Sequence, residues 1–509
     1  MSSSVTIPDK MFAYTWASRV IPKRGMIDSC CAHAYVAPLE YAAYNRIRLD
    51  RGIASRRMAT IHPFTCTNTN MYWFFALTPY RACEGIFSLI FPLYLFNILR
   101  LPASSVGLLV GLVSFGAVAG SIFWGYVSDR YHTRRAFMVM GCTLGGMCLA
   151  ALSLFSHFAV AIVPLCFAFG FFSIAPAPIA SVLIMESLPK LHWDRAFAQY
   201  NKIGGWGWIV GLFLGVGVLP ALERWLPLDR SMHLILCGLG ALMVGTAWWA
   251  LRTIPESSRQ VDRDQFIAAT QSIPSLNMIE RALYLPRRLL FVLQPSQILR
   301  FRAMMPTRAF LSYMAATTIM FVGFIMVMTP FSLFLQDVYH LNTSLIFALT
   351  LIRALTSAPC YALAARWANW FGPHRVQSWA LVCRLVAFCA LGALALVSDM
   401  VLVLAILIIV NVLIGISWSG IAVAGPALVG HLSNAGHQGE AMGIYNAAQG
   451  VAQICGAMLG GCLAYWIGYY NTFVVAGLLL IPAILLLLGS DSKDTSAPGE
   501  HEQRNRIAA

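Results

Sequence analysis

A few charged residues stand deep inside long apolar stretches of this chain, where an ionised side chain costs roughly 2.5–3.5 kcal/mol or more unless it is paired or faces water. Arg81 and Glu84 lie in the stretch from 71 to 98, Arg353 in 343 to 369, and Arg384 in 375 to 397. Three residues apart, Arg81 and Glu84 share one face of a helix and can pair. At about 1.5 Å per residue they stand about 15–20 Å from the start of their stretch, near mid-membrane. Glu84 is the sole acid at that depth, which makes it the candidate proton carrier. Guanidinium forks recognise carboxylates and phosphates, so a site that held both Arg81 and Arg353 against one Glu84 would carry a positive surplus suited to an anionic or zwitterionic group. Arg384 reads as structural, and Lys202 lies close enough to a helix end to snorkel.

A second charged cluster interrupts the apolar pattern at GYVSDRYHTRR, residues 125 to 135. Gly125 opens it, Asp129 and Arg130 follow, and Arg134 and Arg135 close it. Asp129, at the end of one helix, can cap the positive N-terminus of a facing helix. Arg134 can reach an acid across the same mouth, either Glu186 in MESLPK or Glu440.

The elements that must position these groups are membrane helices. With 59% hydrophobic residues, 11% charged and a mean hydropathy of +0.69, the chain cannot be buried in one soluble core. Stretches of membrane-spanning length run near 71–98, 105–128, 136–156, 158–186, 196–219 and 231–251. Six more run near 309–336, 343–369, 375–397, 399–425, 440–466 and 470–489, the run from 399 extending to 431. The expected fold is therefore an all-α membrane protein with twelve transmembrane helices.

Lys and Arg collect in cytoplasmic loops, and here they fix an N-in/C-in orientation. Inner loops would hold Arg130, Arg134, Arg135, Lys190, Arg195, nine Arg between 252 and 308, Arg366 and Arg375; outer loops would hold Arg100, Arg224 and Arg230. The net charge of +14 is then mostly topogenic, and no nucleic-acid partner is expected. The chain divides into a polar N-terminal cytoplasmic extension (1–70), an N-terminal six-helix bundle (71–251), a basic cytoplasmic central loop (252–308), a C-terminal six-helix bundle (309–489) and a cytoplasmic tail (490–509). The extension reads either as disordered or as sequence upstream of a start at Met58 or Met71. The central loop reads either as amphipathic helix lying on anionic lipid or as a solvated linker. Ten of the 13 Cys fall inside predicted helices, where they serve as small apolar packing residues.

An internal repeat supports the six-plus-six count. Pro92 precedes Ser105, read as an N-cap, by the same interval as Pro330 precedes Thr343, a lag of 238. Tyr200 and Asn201 precede Gly205, Gly211 and Gly215 with the spacing by which Tyr445 and Asn446 precede Gly450, Gly456 and Gly460, a lag of 245. Between them, Asn369 in ARWANWFGPHR follows Asp129 by 240.

A GxxxDRxxxRR string between two membrane helices, together with two similar six-helix halves, resembles the loop 2-3 signature and the architecture of the major facilitator superfamily of secondary transporters. His132 takes a slot the family gives to Gly. The resemblance implies two pseudo-symmetric six-helix bundles working by alternating access, with motif contacts to Glu186 closing the cytoplasmic side. It also implies a cavity lined by helices 1, 4, 7 and 10, with 3, 6, 9 and 12 facing lipid. Arg81, Glu84 and Arg353 would then face the cavity and Arg384 would not. Asn201, Asn411, Ser417, Ser419, Asn446, Gln449 and Gln453 could add hydrogen bonds there, and Asn446 and Gln449 complete the candidate binding set. Tyr80, Phe87, Trp206, Trp208 and Trp418 could stack on a substrate ring or face lipid. Gly207, Gly211 and Gly215 leave a bare face on helix 5, with helix 8 the expected partner.

Absences narrow the function. None of the five Lys follows a Gly, so the chain has no GxxxxGK[ST] phosphate loop, and a gradient rather than ATP must supply the energy. AIVPLCFAFGFF in helix 4 lacks the arginine of drug/proton antiporters, and helix 5 lacks their GPxxGG. PESSR at 255–259 resembles the PESPR of sugar porters, but no PETKG ends helix 12. Without an HExxH, a GxSxG or a His/Asp cluster, no enzyme activity, metal or cofactor is expected. The reading is a monomeric, gradient-driven transporter of a small anionic or zwitterionic organic solute, with or without a coupled proton, in the plasma membrane. A sugar substrate and a facilitator-like sensor or scaffold that does not transport are the alternatives.

Overall fold

The computed structural model describes residues 72–131, 133–155, 158–187, 193–255, 308–433 and 438–491, all within the unit Thr69–Ala509. The expectations for 1–70, for nearly all of the central loop and for nearly all of the tail fall outside them. Regular structure among the described residues is helical throughout. In the first half these helices are α1 (Trp73–Ala76), α2 (Thr78–Asn97), α3 (Ala103–Tyr131), α4 (Arg134–Leu154), α5 (Ala159–Ser173), α6 (Pro176–Ser187), α7 (Trp193–Glu223) and α8 (Leu228–Thr253). In the second half they are α9 (Arg308–Asp337), α10 (Thr343–Phe371), α11 (Pro373–Ala393), α12 (Met400–Leu432), α13 (Gln438–Ile467) and α14 (Tyr469–Asp491). With α1 leading into α2 and α5 into α6, these make twelve crossings.

Among the described residues, eleven spans are long and apolar enough to cross a membrane. The twelfth is α2, whose hydropathy is lowered by Arg81 and Glu84. Two crossings are broken where the backbone demands it. Leu77 separates α1 from α2, with Pro79 in the first turn of α2. Ile174 and Ala175 separate α5 from α6, because Pro176 and Pro178 have no N–H for the helical ladder. The expected caps shift slightly. α3 starts at Ala103, so Ser105 lies inside it, and it is Asn342 that caps α10, accepting from the Leu345 N–H at 2.9 Å.

The two halves pack by one scheme. In the first, α2 lies on α7 and α8, α3 and α4 on α5, and α4 on α8. In the second, α9 lies on α13 and α14, α10 and α11 on α12, and α11 on α14. Each pair corresponds to its counterpart six crossings later. The halves join through α3 on α13 and α7 on α10, which the same exchange interconverts. At the first seam Gly107 and Gly461 bring backbones into contact; a Cβ on Gly107 would stand 2.6 Å from the Ala457 carbonyl oxygen. At the second, Gly215 meets the Phe347 ring. Asn97 donates to Gln336 across the halves at 2.9 Å. All these approaches lie toward the end opposite the Asp129 motif. At the motif end, a Cβ on Gly205 or Gly443 would meet only open space.

The glycine stripe of α7 corrects one expectation. Gly207 faces Thr78 and Arg81 of α2, Gly211 faces Ala82 of α2, and only Gly215 faces α10. The stripe therefore seats mainly the charged helix of its own half, because α2 crosses α7 where the bare face is longest.

Candidate functional site

Two charge clusters occupy the middle of the molecule, one in each half. In the first, the break at Leu77 starts α2 so that Tyr80, Arg81 and Glu84 fall in its first two turns. Arg81 Nη1 lies 2.8 Å from Glu84 Oε2, with both side chains about a quarter exposed. Gly204 and Gly207 of α7 make room for the arginine; a Cβ on Gly207 would stand 2.9 Å from that of Arg81. The Tyr200 hydroxyl of α7 also interacts with Arg81.

Tyr80 is buried and ties this pair to the broken fourth crossing. Its hydroxyl is 2.7 Å from Glu84 Oε1 and 2.9 Å from the Ser173 carbonyl oxygen. At the break the Ala175 N–H turns to the Phe172 carbonyl and the Ala177 N–H to that of Ile174. The carbonyls of Phe171 and Ser173, displaced from the ladder, are taken up by side chains: Trp124 Nε1 of α3 donates to Phe171 at 2.8 Å, and Tyr80 reaches Ser173. In a membrane interior every such carbonyl needs a partner.

The second cluster converges on α9. Arg353 of α10 places Nη1 2.6 Å from Met328 Sδ. One helical turn away, the Arg384 guanidinium lies 4.3 Å from the Phe324 ring and 5.9 Å from Trp418. These two rings stack at 5.6 Å and 20°. Arg384 Nε donates to Ser417 Oγ at 3.1 Å, and Nη2 donates to the Ile414 carbonyl at 3.3 Å. Arg384 is thus buried between helices. It is 1% exposed and reaches the faces of α9 and α12, because a guanidinium in hydrocarbon gains from ring faces and carbonyls. Among the described residues, no carboxylate contacts Arg353 or Arg384.

The remaining candidates are dispersed. Gln449 interacts with the Tyr445 hydroxyl, and Tyr445 stacks on Tyr313 at 6.5 Å and 4°. Asn446 is exposed. Neither contacts the arginines. Arg353 likewise makes no contact with Arg81 or Glu84. Asn411 is fully buried, donating to the Leu407 carbonyl at 2.8 Å with its own oxygen unpartnered. In the motif, Gly125 has open space around it, and Arg134 is buried and donates to Ser128 Oγ at 2.6 Å. Arg135 is half-buried. The side chains of Asp129, Arg130, Glu186 and Glu440 fall outside the described residues, and so does the expected gate pairing.

Sequence reasoning missed the part played by Tyr80 and Ser173. The IAPAP string at 174–178 was the available signal, since two prolines so placed must release carbonyls. Phe324 and Met328 carried none.

Residues 73–424 and 405–508 match the sequence model of the Major Facilitator Superfamily. No curated protein matches the chain in sequence. Among solved structures, the chain resembles a bacterial homologue of the human lysosomal transporter Spinster in an inward-facing, unoccupied conformation, with 14% identity and a TM-score of 0.63 over 85% of this chain and 100% of that one. It also resembles a POT family transporter in complex with 5-aminolevulinic acid, with 14% identity and a TM-score of 0.62 over 82% and 95%. A D-xylose-proton symporter is similar at 16% identity, with a TM-score of 0.58 over 82% and 95%. Identities this low speak for the fold alone.

Proposed function

The chain belongs to the major facilitator superfamily and is a multi-pass membrane secondary transporter, and we propose that its substrate is a small organic anion or zwitterion moved together with a proton. One observation carries this reading. In the second half two guanidinium groups, Arg353 and Arg384, converge on one turn of α9 with no carboxylate beside them among the described residues. Ring faces and carbonyls offset part of the desolvation cost of each charge, and a carboxylate or phosphate entering between them would offset much more. The Phe324 and Trp418 rings beside Arg384 suit an apolar or aromatic body on the same solute.

The first half supplies the complementary chemistry. While Glu84 is ionised, it neutralises Arg81. A proton on Glu84 releases Arg81 to a second anionic group or to the same carboxylate from the other side. Proton and anion would then load together, leaving the occupied centre close to neutral for the rocking of one half against the other. Asn446 and Gln449 fit the rim of this path better than its centre.

The basic loops favour a cytoplasmic motif end, in the plasma membrane. With the seams formed at the opposite end, the conformation described is one open toward the cytoplasm. Gly125, Asp129, Arg130, Arg134, Arg135 and Glu186 would close that side in the alternate state.

A thermal-shift screen of purified protein against a metabolite library tests this reading. The expected hits are monocarboxylates, dicarboxylates, phosphate esters and amino-acid-like zwitterions, whose stabilisation is lost in Arg353→Ala and Arg384→Gln. Stabilisation by neutral sugars that survives both substitutions would overturn it.

A further inference from the structure

The Tyr80 hydroxyl carries one proton and faces two acceptors, Glu84 Oε1 at 2.7 Å and the Ser173 carbonyl at 2.9 Å. With Glu84 ionised, both partners need that proton and only one receives it. The charged carboxylate is the stronger acceptor, so the Ser173 carbonyl is left without its donor. With Glu84 protonated, the conflict disappears. The carboxylic acid donates to the Tyr80 oxygen, Tyr80 donates to Ser173, and every acceptor in the chain is satisfied.

We infer that Tyr80 is a positioning residue through which the proton on Glu84 fastens or releases the break in the fourth crossing, an inference that rests on Glu84 being the proton site. The break makes the link matter. Ser173 would ordinarily receive the Ala177 N–H, but the turn forced by Pro176 sends that N–H to Ile174. Tyr80 therefore supplies the tie that holds the end of α5 to α2. Gly141 and Gly145 of α4 let the broken segment sit close: Gly145 lies against Ser173, and Gly141 against Ala175 and Phe172. The segment beyond the break, α6, leads directly to Glu186 and so toward the motif end. Protonation thus tightens α6 onto the first crossing, and deprotonation loosens it.

The groups surrounding Glu84 do not replace this link. On α2 they are Tyr80, Arg81 and Cys83; α7 contributes Tyr200, and α4 contributes Cys142. From α5 the facing group is the Ser173 carbonyl, which does not titrate, and the contact from α8 is the Leu239 carbonyl, on Cys83. Arg81 pairs with the other carboxylate oxygen. Its hydrogen bond goes to Glu84 Oε2, and it makes none to the Ser173 carbonyl.

Hydrogen–deuterium exchange of the full-length protein in lipid nanodiscs, corrected for the intrinsic pH dependence of exchange, tests the link. In the wild type, protection of residues 174–184 is expected to fall about tenfold from the acid to the alkaline end of the series, the size of effect expected for one buried acceptor losing its donor. Glu84→Gln, whose amide can donate to Tyr80, should keep the segment protected at every pH. Tyr80→Phe should leave it exposed at every pH. Pro176→Ala allows Ala177 to serve Ser173 directly, so it should abolish the pH step with Tyr80 intact, which guards against a Tyr80→Phe variant that simply misfolds. Trp124→Phe, which removes the other tie, should lower protection equally at all pH values and keep the step. If Glu84→Gln retains the wild-type step, Glu84 is not the titrating group and the transport reading loses its proton site. If Glu84→Gln removes the step but Tyr80→Phe or Pro176→Ala keeps it, the proton site stands and the Tyr80 link is wrong.

Discussion

The two halves pack their helices in the same pairs, yet they place charge in opposite ways. In the first half one arginine meets one carboxylate on the same helix, Arg81 on Glu84, and glycines of α7 make room for them. In the second half two arginines from different helices, Arg353 and Arg384, lean on one turn of α9 and find sulfur, rings, a hydroxyl and a carbonyl. At the lag of 238 that relates Pro92 to Pro330, the positions equivalent to Arg81 and Glu84 hold Ile319 and Val322. A duplicated scaffold therefore constrains backbone approach much more tightly than it constrains charge. Packing scheme and chemistry have separated, leaving a self-neutralising cluster on one side and a cluster short of an anion on the other.

Substitutions in the two clusters should break the comparison if it is wrong. Glu84→Ala strands Arg81 in a largely buried setting and should cost about 3 kcal/mol of stability, read by denaturant or thermal unfolding in detergent. Adding Arg81→Met to it should recover most of that loss. Arg384→Met, by contrast, removes a charge that has no carboxylate partner to strand, so stability should change by no more than about 1 kcal/mol, while stabilisation by anionic solutes disappears. A loss as large as that of Glu84→Ala would mean that Arg384 is as structurally committed as Arg81. The seams offer a finer contrast. Gly107→Ala drives a Cβ into backbone that cannot yield and should cost about 1–3 kcal/mol. Gly215→Ala meets the Phe347 ring rather than backbone and should cost less. Of the seam substitutions, Asn97→Ala should have a small effect, since it removes one inter-half hydrogen bond worth about 1 kcal/mol, and it should raise labelling of cysteines introduced at the end opposite the motif.

Much of this architecture is legible without coordinates. Runs of twenty or more apolar residues have one low-energy solution in hydrocarbon, a helix that satisfies its own backbone, so the twelve crossings follow from the chain itself. The 238-to-245-residue lags between Pro92 and Pro330 and between Tyr200 and Tyr445 likewise expose the duplication. Arg81 and Glu84 pair because three residues on a helix is a local distance. What no local spacing encodes is that the long Arg384 stem reaches across a helix interface to the Phe324 and Trp418 ring faces.

What the sequence determined by itself is therefore local or periodic: crossing number, the internal repeat and the ion pair on α2. What only the tertiary structure decided is long-range. It joined Tyr80 to a carbonyl 93 residues away, brought Arg353 and Arg384 onto one turn of α9, and set Gly207 and Gly211 of α7 against α2, leaving Gly215 for α10. The physical reason is that hydrophobic periodicity specifies which residues leave water, while hydrogen bonds and charge contacts between helices depend on rotation and depth, which are set only when all twelve crossings close-pack together.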